Sequence, residues 1–151
     1  MVLKKAVSGE IDFFGPAKNV AKELMSIPSF EKTSNDIFSE FKVVLKNLKK
    51  IILMVAGKAS EKLGIKIAEE QELMMNISEM IIDTYMLESA LLKTEKLTSK
   101  EGPIKNQERI SMCINFLHST IDKFQKNGKE AIYALSEGDE QKILLLSLIH
   151  I

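Results

Sequence analysis

Apolar positions recur at three- and four-residue intervals along nearly the whole chain, and no stretch keeps strand-like alternation for more than a few residues. The strongest series is Phe41, Val44, Leu48, Ile51, Val55, Ala59 and Leu63. It spans about six turns of one amphipathic helix. Ser34, Asn35 and Asp36 supply good N-caps for it, and Gly64 sits where a left-handed C-terminal residue belongs. A helix running unbroken from Asp36 to Leu97 would be about 90 Å long, so a tight turn is expected between Gly64 and Ala68. The next helix runs from Ile67 to Leu97 on a stripe of Leu73, Ile77, Met80/Ile81, Thr84, Leu87 and Leu91, widened by Met74, Tyr85 and Met86. Thr98 to Lys105, with Gly102-Pro103, is a connector. A fourth segment from Lys105 or Asn106 buries Ile110, Cys113/Ile114, Leu117, Ile121 and Phe124 and ends at Asn127-Gly128. Short helices over 129–135 and 139–149 follow, separated by Ser136-Glu137-Gly138.

Ahead of these lies a shorter pattern. Gly15-Pro16 opens it, and Pro28 closes it by pushing the residue before it out of the α region. Phe13, Ala17, Val20, Ala21 and Leu24 share one face, Lys18 and Lys22 another. The expected architecture is all-α, an antiparallel up-down helical bundle with a long central hairpin. Residues 1–33 form a linker with the short amphipathic helix, and residues 34–151 form the bundle. Its core is expected to hold Val44, Leu48, Ile51, Val55, Ile77, Ile81, Ile114, Leu117 and Ile121.

Composition narrows the function classes. Of 151 residues 45% are hydrophobic and 28% charged, which is globular rather than disordered. Lys+Arg equals Asp+Glu at 21 each, so no net field points to nucleic acid. The single cysteine, Cys113, excludes an intrachain disulfide or thiolate cluster. No apolar run approaches the roughly 18 residues of a membrane span, and Met1 to Lys5 are not followed by a signal-peptide pattern. A reducing, cytoplasmic setting is expected, with peripheral membrane contact as the open alternative. Charge is uneven along the hairpin. Residues 42–66 hold seven Lys and one acid, whereas residues 69–95 hold seven acids and one Lys. Antiparallel pairing would set Lys50 near Asp83 and Lys46 near Glu88.

Candidate chemistry is sparse. His118 has only Asp122 at i+4, too few donors for a metal. Cys113 lies in an apolar stripe without a basic neighbour, and Glu69, Glu70 and Glu72 favour a helix N-terminus over an acid–base site. Phosphate-loop, dinucleotide and nucleophile-elbow motifs are absent. The residues themselves point to no catalytic, cofactor or metal site.

The string Ile81-Ile82-Asp83-Thr84-Tyr85-Met86-Leu87-Glu88-Ser89-Ala90-Leu91-Leu92, then Thr94, Gly102-Pro103 and Gln107-Glu108-Arg109, resembles the carboxy-terminal extension of acyl-CoA dehydrogenases. The likeness extends from about Asn35 to Leu135, with Ala56 to Met80 resembling the hairpin before it. The very-long-chain, membrane-associated branch is the nearest type. The resemblance implies a parent enzyme that binds FAD and oxidises fatty acyl-CoA, a glutamate taking the α-proton while flavin N5 accepts the β-hydride. In that branch the base stands in a Glu-Gly-Thr-Asn-Glu-like stretch. Here Glu101-Gly102 is followed by Pro103, so no catalytic or FAD-binding residue carries over. The resemblance implies an accessory domain whose partner is the catalytic core of the parent chain, in a homo-oligomer. Lys4, Lys5, Phe13, Phe14, Lys18 and Lys22 are its candidate contacts with a membrane or partner. A free-standing helical interaction module is the alternative, and an independent enzyme the third reading.

Overall fold

The computed structural model describes residues 37–150 and, before them, Asn19 alone. The expected 16–28 helix and the candidate contacts Lys4, Lys5, Phe13, Phe14, Lys18 and Lys22 lie outside the described residues. Helix α1 spans Ile37–Leu63, α2 Gln71–Glu101, α3 Gln107–Leu135 and α4 Gly138–Ser147. Single 3-10 turns follow α1 (Gly64–Ala68), α2 (Ile104–Asn106) and α4 (Leu148–His150). The described residues contain no strand. The bundle is all-α and runs up, down, up, with α4 folding back on α3 and touching the end of α1.

The turn after α1 forms where the sequence places it. Gly64 takes φ +51°, a left-handed conformation that costs glycine nothing. The chain then makes one 3-10 turn before α2 begins, and Ile67 is buried under it. This turn resets the hairpin register. Lys42 Nζ donates to Glu95 Oε1 at 2.5 Å and Lys49 Nζ to Glu88 Oε1 at 2.6 Å. Glu88 therefore meets Lys49 rather than the expected Lys46, because α2 starts at Gln71 and not at Ile67, which moves the hairpin centre past Ala68.

The second turn is closed by a side chain. Gly102 has φ +84° and ψ 157°, backbone open only to glycine. Asn106, fully buried, donates from Nδ2 to the carbonyls of Gly102 (3.0 Å) and Leu97 (3.4 Å), while its Oδ1 accepts from Arg109 (2.7 Å). The Asn106 side chain thus ties the Gly102 turn and the last turn of α2 to the start of α3.

α3 does not stop at Asn127-Gly128 but continues to Leu135. Both residues are buried for packing reasons. Asn127 Nδ2 donates to Glu79 Oε2 across to α2 at 3.1 Å, and Gly128 leaves room for Leu148. A Cβ at 128 would lie 2.9 Å from Leu148 Cδ2. Glycine in a helix interior costs about 1 kcal/mol relative to alanine, and here it admits the side chain that seats the C-terminal turn.

Leu48, Ile51 and Val55 of α1, Met80, Leu87 and Leu91 of α2, and Phe124 and Ile132 of α3 are the most buried side chains of the core. Ile77 and Leu117 are buried as expected, whereas Val44, Ile114 and Ile121 are only partly covered. Ile81 is not core. It is 48% exposed, and Tyr85 and Met86 of the expected stripe face outward with it. Met80 fills the core position for which Met80 and Ile81 were alternatives.

Candidate interface on the second helix

The sequence candidates for chemistry do not converge. Cys113 is buried, and burial pushes its thiol up, with the Thr94 hydroxyl opposing weakly, so the thiol stays protonated at neutral pH. His118 and Asp122 are exposed on α3. No three metal-ligating side chains come together among the described residues. Glu69 and Glu70 stand exposed just before α2 rather than within it, and Glu72 is exposed in its first turn. Of the methionines at 74, 75, 80 and 86, only Met80 is fully buried.

One cluster of charge does cross elements. Glu140, at the start of α4, accepts from Lys58 at 2.5 Å and from Lys62 at 3.1 Å, both on the last turns of α1. These hydrogen bonds, Lys58 first, hold the Glu140 carboxyl below its ordinary value and raise the Lys58 ammonium. The cluster clamps α4 to α1 and has the composition of a structural ion pair.

The conspicuous surface feature is on α2. Met75, Ile81, Ile82, Tyr85, Met86 and Leu92 are each 48–70% exposed. At 100° per residue these six, with Ser78 and Ser89, occupy a continuous arc of about 140° opposite the buried face, over an axial length of about 26 Å. No charged residue falls in that arc between Met74 and Leu92. Acids bound it instead. Glu88, paired with Lys49, marks the edge toward α1. Glu79, bonded to Asn127, marks the edge toward α3. A surface helix ordinarily has one apolar stripe, but α2 has two, back to back. The sequence carried this signal: 81, 85 and 92, with 75, 82 and 86, form a second set beside the core stripe. Merging the two sets is what put Ile81 in the expected core. A contiguous exposed apolar face of this kind marks a surface that something covers.

Among the described residues no helix is long and apolar enough to cross a membrane.

Comparison with known proteins gives a concordant result. Residues 47–150 match the family described as acyl-CoA dehydrogenase, C-terminal domain. A probable acyl-CoA dehydrogenase of Bacillus subtilis (strain 168) is 32% identical over 146 residues, which is 97% of this chain and 24% of that protein. The crystal structure of an acyl-CoA dehydrogenase complexed with FAD from Bacillus anthracis superposes with a TM-score of 0.86 at 32% identity. It covers 99% of this chain, which in turn covers 25% of it. The chain thus spans about a quarter of the length of each relative.

Proposed function

The chain belongs to the acyl-CoA dehydrogenase C-terminal domain family, and from that premise we propose that it is the non-catalytic helical domain of an FAD-dependent fatty acyl-CoA dehydrogenase. It serves assembly or placement of the parent enzyme, and the catalytic part of that enzyme is its partner. The observation that carries this reading is the coincidence of the family match over the bundle with the second apolar face of α2. The bundle is built to be covered rather than to react.

The described residues offer FAD no helix N-terminus clear of acids. A free helix N-terminus, with its backbone N–H groups, is a ready-made site for a pyrophosphate. Each described α-helix instead has an acid in its first turn: Glu40, Glu72, Glu108, and the pair Asp139 and Glu140. No step of flavin chemistry is therefore assigned to this chain.

Two versions of the parent enzyme test the reading, one whole and one lacking residues 34–151. The whole enzyme is expected to carry flavin and oxidise a fatty acyl-CoA. The truncated one is expected to keep the chemistry but lose thermal stability or assembly. A whole parent without flavin, or a truncation with no effect on stability, assembly or turnover, overturns it.

Finer assignments rest on the residue pattern and on the resemblance to the family. They are the division at 33/34 into linker and bundle, homo-oligomerisation, and the very-long-chain, membrane-associated branch. To these belongs contact of Lys4, Lys5, Phe13, Phe14, Lys18 and Lys22 with an anionic membrane or a partner. Cosedimentation with anionic vesicles at low and physiological salt tests the last. Binding unchanged by Lys18→Glu with Lys22→Glu removes it.

A further inference from the structure

We propose that the outer face of α2, centred on Ile82 and Tyr85, is the surface by which this domain docks onto the rest of its own polypeptide, and that the docking partner is an apolar, uncharged patch of the catalytic part. The inference rests on the reading of the chain as a dehydrogenase domain and adds the surface and the chemistry of its partner.

Three observations choose this occupant. The arc from Met74 to Leu92 has no charge, so a charged partner would lose its solvation there without gaining a counter-charge. Acids flank its long edges at Glu79, Asp83 and Glu88, which disfavours anionic lipid and nucleic acid along its length, while Lys93 and Lys96 close its C-terminal end. The string that carries the family resemblance supplies five of the six exposed apolar side chains, namely Ile81, Ile82, Tyr85, Met86 and Leu92. What distinguishes this helix from a generic amphipathic one is thus turned outward, away from the bundle's own core. Relatives of the family have about four times this length in one polypeptide. A partner joined by a short linker is present at an effective concentration in the millimolar range, so it occupies an apolar face ahead of a free second copy.

The chemistry of the face sets the expected fit. Tyr85, the most exposed of the six at 70%, pairs a large apolar ring with a hydroxyl and has the character of an interface anchor. Ser78 and Ser89 flank the centre and allow close approach of another helix.

The test places a thiol on the face in the complete parent enzyme. Ile82→Cys and Tyr85→Cys are made separately, with Cys113 buried and slow to react. Maleimide labelling is followed peptide by peptide in the whole enzyme at two protein concentrations, and in the 151-residue chain alone. Labelling in the whole enzyme slower by an order of magnitude or more, and still so in protein diluted until it is monomeric by light scattering, is the expected result. Equal labelling in the two proteins overturns the proposal. Protection that appears only at the higher concentration also overturns it and makes a second copy the occupant. Both variants are at exposed positions, and helix content by circular dichroism confirms that they fold. Flavin content of the whole enzyme is read on the same samples. A flavin-free parent with a protected face would sink the dehydrogenase reading and leave the docking surface standing.

Discussion

Met80 and Ile81 are neighbours with opposite fates: the first is fully buried, the second 48% exposed. Both stand three or four residues from Ile77 and from Thr84, so helical spacing alone cannot separate them. The choice is made by where α1 and α3 lie, which is tertiary information. In the isolated chain Met80→Ala is expected to cost about 2–5 kcal/mol through lost contacts and a cavity. Ile81→Ala is expected to stay within about 0.5 kcal/mol, since it removes a side chain already in water and alanine is the better helix former. Urea unfolding of the two variants checks this, and equal losses would mean the face of α2 is misassigned. Asn127 and Gly128 teach the complementary lesson. As a pair they carry the signature of a helix end, yet the helix continues because Glu79 and Leu148 each meet one of them. Neither partner is near in sequence, so nothing local could reveal them.

Where the backbone itself demanded glycine, elements were legible. Gly64 and Gly102 both have positive φ and both end helices at the expected places, to within four residues at Glu101. The register between α1 and α2 was not legible, because it depends on the length of the 3-10 turn between them. Charge complementarity allowed several offsets, and each exposed pair is worth only about 0–1 kcal/mol. α4 is held differently. Leu148 seats its end against Gly128, and Glu140 ties its start to Lys58 and Lys62. The Glu140 carboxyl lies below its ordinary value of 4.5, chiefly through the hydrogen bond from Lys58. A depressed carboxyl contributes stability that is fully present above its unfolded value and is lost as pH falls through the folded one. The advantage of wild type over Glu140→Gln in thermal melting is therefore expected to hold at neutral pH and to shrink below about pH 4.5. Lys58, raised above 10.5, contributes in the opposite sense, with stability present below that value and lost only at higher pH. A Glu140→Gln deficit that persists undiminished well below the carboxylate range would show that the side chain acts by packing and not by charge.

The molecule as a whole combines zero net charge, a core assembled from three helices, and a second apolar face on the middle one. All-α architecture was legible because the three-to-four spacing is unbroken by strand patterns. The docking face was partly legible, as an excess of apolar letters on one helix, and became a face only when α1 and α3 took the other side. The same whole-molecule electrostatics bear on ligands. FAD and acyl-CoA both present a pyrophosphate, and a pyrophosphate seeks either clustered cations or unblocked helix N-termini. Along α1, Lys42 and Lys49 are paired with Glu95 and Glu88, and Lys58 and Lys62 with Glu140. The helix N-termini hold carboxylates that occupy the positive end of each dipole and repel a second anion. The purified 151-residue chain is accordingly expected to be colourless, to leave flavin fluorescence unquenched on titration with FAD, and to turn over no acyl-CoA. Saturable FAD binding at roughly micromolar affinity, about −8 kcal/mol, would require an anion site built on other cations than these pairs, and would move the chain from accessory domain to cofactor-binding domain.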